Sequence, residues 1–235
     1  MKKYLFLTLL LSSINLVAAK TNTYIYLHGL NSNIKSAAYH PFFTNLESKG
    51  KLEKLTLPGH HQKSKLDQMN IASIKKYLKK LAQRLDNQYE LKNVVLIAHS
   101  MSALLIKNHL PKKTRINFKS IYYLAPSAPP KGYAFFKLII KFLPNFLEIS
   151  SYSPAALRLN NSVPVGLYAI LFEEVKYFLQ NNELLNNEKI IIHEADEAIN
   201  VKKLKSHYPS AEVISTTTSL PKHVFFLDQF NLFEY

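Results

Sequence analysis

Cysteine is absent from the 235-residue sequence. Without it there are no disulfides, thiolate metal sites, thiol nucleophile or lipidated N-terminal cysteine, although this alone does not fix the compartment. Acidic residues are scarce: 16 Asp and Glu stand against 30 Lys and Arg, for a formal charge of +14. Such an excess favours contact with acidic surfaces, whether lipid, polysaccharide or nucleic acid. The lysines are scattered through amphipathic segments and no nucleic-acid recognition motif accompanies them, so nucleic acid is not an expected partner. Internal repeats, low-complexity tracts and apolar runs long enough to span a bilayer comfortably are missing as well. What remains, 47% hydrophobic and 20% charged, describes one globular domain with a sizeable core.

The first 19 residues read as a removable leader. Lys2 and Lys3 supply a positive start, Tyr4 to Leu11 a short apolar stretch, and Val17-Ala18-Ala19 a small-residue exit. This predicts export, periplasmic or secreted, with cleavage after Ala19 and a single domain over 20–235.

Beyond the leader, strand-like and helix-like segments alternate. Thr23–Leu27, Leu52–Leu57, Val94–Ile97, Ser120–Leu124, Lys189–Ile192 and Ala211–Ser215 are β-branched or aromatic. Helices are predicted over Ser36–Lys49, with Pro41 near its start, over Asn70–Leu85, from Met101 to about Leu110, over Val201–His207 and over Val224–Phe233. The helix at Asn70 is the clearest, with Ile71, Ile74, Leu78, Leu81 and Leu85 on one stripe and lysines mostly opposite. The alternation implies an α/β fold: a mostly parallel sheet with helices on both faces. Ligands of such sheets bind at the carboxyl ends of the strands. It lapses over about 127–187, a long insertion with helical pieces at Tyr133–Leu143 and Val165–Leu179.

Ser100 sits where the buried run Val94–Ile97 gives way to a helix, in the stretch Ala98-His99-Ser100-Met101-Ser102. A sharp strand-to-helix turn lifts a serine hydroxyl above the sheet edge, and small neighbours are needed because the backbones approach closely there. A serine becomes a nucleophile only when a base takes its proton and an acid orients that base. Asp196 and His223 follow later predicted strands, in the order Ser100, Asp196, His223. Asp196 is the favoured acid and Glu197 the alternative. His99, as Ser100's chain neighbour, is directed away from it and packs against the surrounding loops. An oxyanion needs two N–H donors, which Met101 and Leu30 would supply. His28, Gly29 and His99 are expected to line the same cleft and to bind substrate. Neither an H-E-x-x-H nor an H-x-H-x-D pattern occurs, so neither a metal nor another cofactor is expected.

Together, His28–Ser32 (HGLNS), Leu57–His60 (LPGH), Ala98–Ser102 (AHSMS), the acid near 196 and His223 resemble the α/β-hydrolase superfamily. The look is closest to its monoacylglycerol lipase, lysophospholipase and carboxylesterase group. The departures are Ala98 and Ser102 where glycines are usual, Glu194 where a glycine commonly follows His193, and Lys222 before His223. The resemblance implies an α/β-hydrolase fold with a helical lid over 127–187. It also implies a serine hydrolase cleaving carboxylic esters through an acyl-enzyme. An amide-cleaving relative shares the same residues, and a non-catalytic envelope-binding protein of this fold is the alternative from a different class. The apolar lid, with Phe135 and Phe136, predicts a lipid-like acyl ester as substrate. Lys131, Lys137 and Lys141 make an anionic membrane surface a candidate partner.

Overall fold

Eight strands are present among the described residues: β1 (Asn22–Leu27), β2 (Gly50–Leu55), β3 (Val94–His99), β4 (Ser120–Leu124), β5 (Glu148–Ser150), β6 (Ser162–Pro164), β7 (Glu188–His193) and β8 (Glu212–Ile214). The computed structural model describes residues 22–33, 35, 40–60, 66, 69–151 and 155–229, so the predicted leader lies outside it. Six strands form one sheet in the order β2-β1-β3-β4-β7-β8, every neighbouring pair parallel. β3 lies near its middle and is buried along its whole length, as an unbroken apolar run demands when both faces of a parallel sheet are covered.

The chain leaves β1 towards one edge of this sheet and leaves β3 towards the other. A crevice opens at the carboxyl ends of strands where the order reverses in this way. The pairing of Leu27 with Ala98 and of His99 with Leu124 brings the loops after β1, β3 and β4 to one place.

Helices α1 (Pro41–Lys49), α2 (Ile71–Gln88), α3 (Met101–His109), α4 (Lys112–Arg115), α5 (Tyr133–Ile140), α6 (Val165–Gln180) and α7 (Val201–His207) surround the sheet. Pro41 opens α1, where a fixed φ and a missing N–H do no harm. α1 packs on β2 and on the 3₁₀ segment Lys222–Asp228. Asn70 caps α2: it accepts from Ser73 N at 2.9 Å, and its own N–H donates to Ser73 Oγ at 3.2 Å. Ile74, Leu78, Leu81, Ala82 and Leu85 turn inward, while Lys75, Lys76, Lys79 and Lys80 face solvent. α3 is buried from Met101 through Lys107, covered by α6 and touched by α2. Leu27, Phe43, Ile97 and Phe226 have no exposed surface, each contributing about 1.5–3 kcal/mol of apolar burial.

Several elements differ from the sequence reading: the helix expected from Ser36 starts at Pro41 after an extended His40, with 36–39 outside the described residues, and the one expected to reach Leu143 ends at Ile140. β2 runs from Gly50 to Leu55, two residues earlier than expected at both ends, a placement that Gly50 permits because any side chain there would meet the Asn22 carbonyl 2.1 Å away. Only glycine lets that strand pair directly from the end of α1. The closing helix expected over Val224–Phe233 is instead the 3₁₀ segment, kinked at Val224, and Phe233 lies outside the described residues. The insertion contains an antiparallel pair, β5 with β6, between its helices.

At the amino ends of β4 and β7, the Arg115 guanidinium meets Glu188. Tyr123 donates to Glu188 at 2.7 Å and Leu185 N to its other oxygen at 2.9 Å. Burial and the neighbouring carboxylate push the Tyr123 phenol well up. Among the described residues, no helix is long and apolar enough to cross a membrane.

Candidate active site

Ser100 joins β3 to α3 with φ 56° and ψ −118°, a left-handed turn that a non-glycine residue holds only where surrounding structure enforces it. Its N–H donates to Leu124 O at 2.9 Å. Ala98 and Ser102, standing where glycines are usual, are fully buried. Ser102 is accommodated because its hydroxyl donates to the His28 carbonyl, leaving no unpaired buried donor. Gly29 passes so close that a Cβ there would stand 2.8 Å from Ser100 Cβ and 3.3 Å from its Oγ.

The 3₁₀ segment carries His223 to Ser100, with Nε2 3.0 Å from Oγ. Nδ1 faces Asp196, 3.0 Å from Oδ2 and 3.2 Å from Oδ1. An elbow, a 3₁₀ segment and the loop after β7 thus bring a hydroxyl, an imidazole and a carboxylate into line. Asp196 is fixed from below, its Oδ1 accepting from Ala198 N at 2.8 Å and Ile199 N at 3.0 Å. Burial alone would raise its carboxyl, but His223 and these two N–H groups hold it below the usual range. Burial would likewise lower His223, yet the facing carboxylate outweighs it and holds the imidazole above its ordinary value. Glu197 is exposed and touches the backbone of His223 rather than its ring, accepting from the N–H at 3.3 Å. His99 donates from Nε2 to the His223 carbonyl at 3.1 Å. Burial depresses His99 to about 3, so it braces His223 as a neutral ring.

The loop after β1 is locked to the one after β2 by two histidines. Leu57 N donates to His28 Nε2 at 3.1 Å, and Asn31 N to His60 Nε2 at 2.9 Å. Each ring turns Nδ1 onto a nearby carbonyl, and the rings lie 4.7 Å apart. This exchange explains why HGLNS and LPGH occur together: each loop supplies an N–H to the other's histidine. His28 is therefore a brace with 1% exposure, although it borders the cleft. Leu30 follows Gly29 in that loop and Met101 starts α3 beside Ser100.

No protein-family profile matches the sequence, and no curated protein matches it. Solved structures do. The Est1E protein of Butyrivibrio proteoclasticus superposes with a TM-score of 0.52 at 14% identity, covering 91% of this chain and 85% of that one. A bromoperoxidase of Bacillus anthracis gives 0.50 at 16%, covering 83% of each chain. A variant of tomato methylketone synthase I, complexed with β-ketoheptanoate, gives 0.55 at 12%, covering 86% and 90%. The chain has the fold of the α/β-hydrolases. At these identities the likeness speaks for architecture alone.

On this α/β-hydrolase scaffold the insertion roofs a cavity of about 460 Å³ whose floor holds Ser100 and His223. Leu30, Phe136, Ile140, Leu171, Phe172 and Phe226 give it a mainly apolar lining. Phe136 lines it, but Phe135, expected beside it, is 64% exposed on the outer side of α5; neighbouring helical positions diverge by about 100°. Lys131 is exposed, and its Nζ donates to the Asp196 carbonyl at 2.7 Å. Its N–H donates to Ala198 O and Asn200 N donates to Pro129 O, both at 2.9 Å. The base of the insertion is thus stitched to the acid's loop. Among the described residues, no three His, Asp or Glu side chains gather to hold a metal ion.

The sequence reading missed Ser127. Its Oγ lies 2.5 Å from Ser100 Oγ. The available signal was position: it falls three residues past the end of β4, which pairs with β3. It missed Asn31 too, whose Nδ2 donates to Ser151 Oγ at 2.8 Å and Asn160 O at 2.7 Å. Asn31 Oδ1 accepts from Asn160 N at 2.8 Å.

Proposed function

We propose that this protein is an exported serine hydrolase that cleaves medium- or long-chain acyl esters, such as monoacylglycerols or lysophospholipids, through an acyl-enzyme. The observation that carries this reading is the line Ser100–His223–Asp196 at the floor of an apolar cavity. A hydroxyl 3.0 Å from an imidazole that is itself held by a buried carboxylate can surrender its proton as it attacks a carbonyl. His223 takes that proton and returns it to the departing alcohol; Asp196 stabilises the imidazolium. The N–H groups of Leu30 and Met101 serve the oxyanion. Water then repeats the sequence on the acyl-enzyme.

The apolar lining supports an acyl chain over a charged substrate. On the outer side of the insertion, Phe142 and Phe146 are 80% and 84% exposed, with Lys141 exposed beside them and Lys137 half-buried nearby. An apolar patch edged by lysines on a protein of charge +14 suits an anionic lipid bilayer. Export rests on the leader, so secreted protein should begin at Lys20 by mass spectrometry; an intact Met1 would refute it.

The deciding experiment is labelling with a fluorophosphonate probe. Labelling lost in Ser100→Ala supports the reading, and folded wild-type protein that does not label overturns it. On p-nitrophenyl esters, each added methylene buried in the cavity contributes up to about 0.8 kcal/mol, so kcat/KM should rise several-fold over the first few carbons. A maximum at acetate would refute the acyl-chain assignment, and faster cleavage of aminoacyl amides would refute the ester.

A further inference from the structure

Ser100 has a second partner besides its base. β4 ends in a turn with Ala125 at φ 41°, which folds the following residues over the elbow. Ser127 then meets Ser100 twice: its N–H donates to the Ser100 carbonyl at 3.4 Å, and the two hydroxyl oxygens lie 2.5 Å apart. The Ser127 hydroxyl bonds no other group among the described residues, is half-buried and lines the cavity.

Each hydroxyl has one proton to give. Ser100 must direct its own at His223 Nε2 to be activated, so the proton between the two serines comes from Ser127. The hydrogen-bonded line is then Ser127 to Ser100 to His223 to Asp196.

We infer that Ser127 is a further catalytic residue, whose O–H stabilises negative charge on Ser100 Oγ whenever that oxygen gains it. The inference rests on Ser100 being the nucleophile. In acylation, the bond from Ser100 Oγ to the acyl carbon forms as the Ser100 proton passes to His223, and the alcohol leaves with that proton. In deacylation, water attacks and gives a proton to His223; the acyl carbon–Oγ bond breaks and the proton returns to Ser100. Oγ carries developing charge as attacking atom in the first step and as leaving atom in the second. Ser127 donates to it in both and keeps its own proton throughout. A hydrogen bond to a charged oxygen is about twice as strong as one between neutral groups. The benefit therefore falls on the transition states and not on the resting serine.

Ser127→Ala should lower kcat on p-nitrophenyl esters about five- to tenfold with KM within twofold, and slow fluorophosphonate labelling by a similar factor. Ser127→Thr, which keeps the hydroxyl, should recover most of both rates. The acid-side midpoint of the rate profile should not move, because among the described residues Ser127 makes no hydrogen bond to His223. Wild-type rates in Ser127→Ala would overturn the inference while leaving the nucleophile assignment intact. Equal losses in the Ala and Thr variants with a lowered melting temperature would also overturn it, marking a packing role. Wild-type protein that does not label overturns both readings together.

Discussion

Gly29→Ala should disable the site without unfolding the protein. The added methyl would stand 2.8 Å from Ser100 Cβ, 3.2 Å from His99 Nδ1 and 3.3 Å from Ser100 Oγ. Carbon atoms settle at roughly 3.5 Å or more, so the loop and the elbow must part by about 0.7 Å. Neither side yields easily. The elbow is tied through Ser100 N to Leu124 O, and the loop through Leu57 N to His28. Overpacking of this kind costs about 1–3 kcal/mol, which the core should tolerate. The chemistry tolerates less, since a misplacement of about 1 Å can cost 10²-fold. We expect kcat to fall about 10- to 100-fold with KM little changed, read on a p-nitrophenyl ester beside a thermal melt. A folded variant with kcat within twofold of wild type would show slack between loop and elbow and refute the reasoning.

Since Asp196 outweighs burial at His223, kcat/KM should fall on the acid side with a midpoint above 6.5. Asp196→Asn should move that midpoint down and cut the rate by orders of magnitude; Glu197→Gln should do neither, and the reverse pattern would exchange their roles. The same pair adds stability between the depressed Asp196 value and the raised His223 value. That contribution is lost as pH falls through the first or rises through the second, which urea unfolding across pH would register. Glu188→Ala strands the Arg115 charge in the interior and should cost about 3–5 kcal/mol, lowering the melting temperature by roughly 10 °C; a change under about 2 °C would refute it. Phe142→Ser combined with Phe146→Ser should weaken co-sedimentation with phosphatidylglycerol vesicles while leaving cleavage of a soluble ester unchanged, and undiminished vesicle binding would place the contact elsewhere.

The sheet was legible because its strands are short β-branched runs separated by helical periods. Ser120–Leu124 and Val201–His207 fall where the pattern places them. The elbow was legible for a related reason: an apolar strand cannot meet a helix within one residue unless the turn and its neighbours are small. Asp196 and His223 could be chosen by chain order, but Asp196 and Glu197 differ only in which bonds they make, and bonds across 27 and 26 residues leave no local trace. The C-terminal segment was misread because Val224–Phe226 is as apolar as a helix face. Its backbone instead kinks to seat His223 over Ser100. Ser127 and Asn31 act through contacts made by the tertiary fold, and a single serine or asparagine carries no periodicity to betray it.

Asn31 has φ 55° and grips the insertion with three side-chain hydrogen bonds, one to Ser151 and two to the backbone of Asn160. Its chain neighbour is Leu30, whose N–H is the proposed oxyanion donor. Any displacement of Ser151 and Asn160 must therefore break those bonds or pull the Leu30 peptide from its place. On the proposed acyl-ester reading, opening the roof and holding the carbonyl are then coupled through this one asparagine.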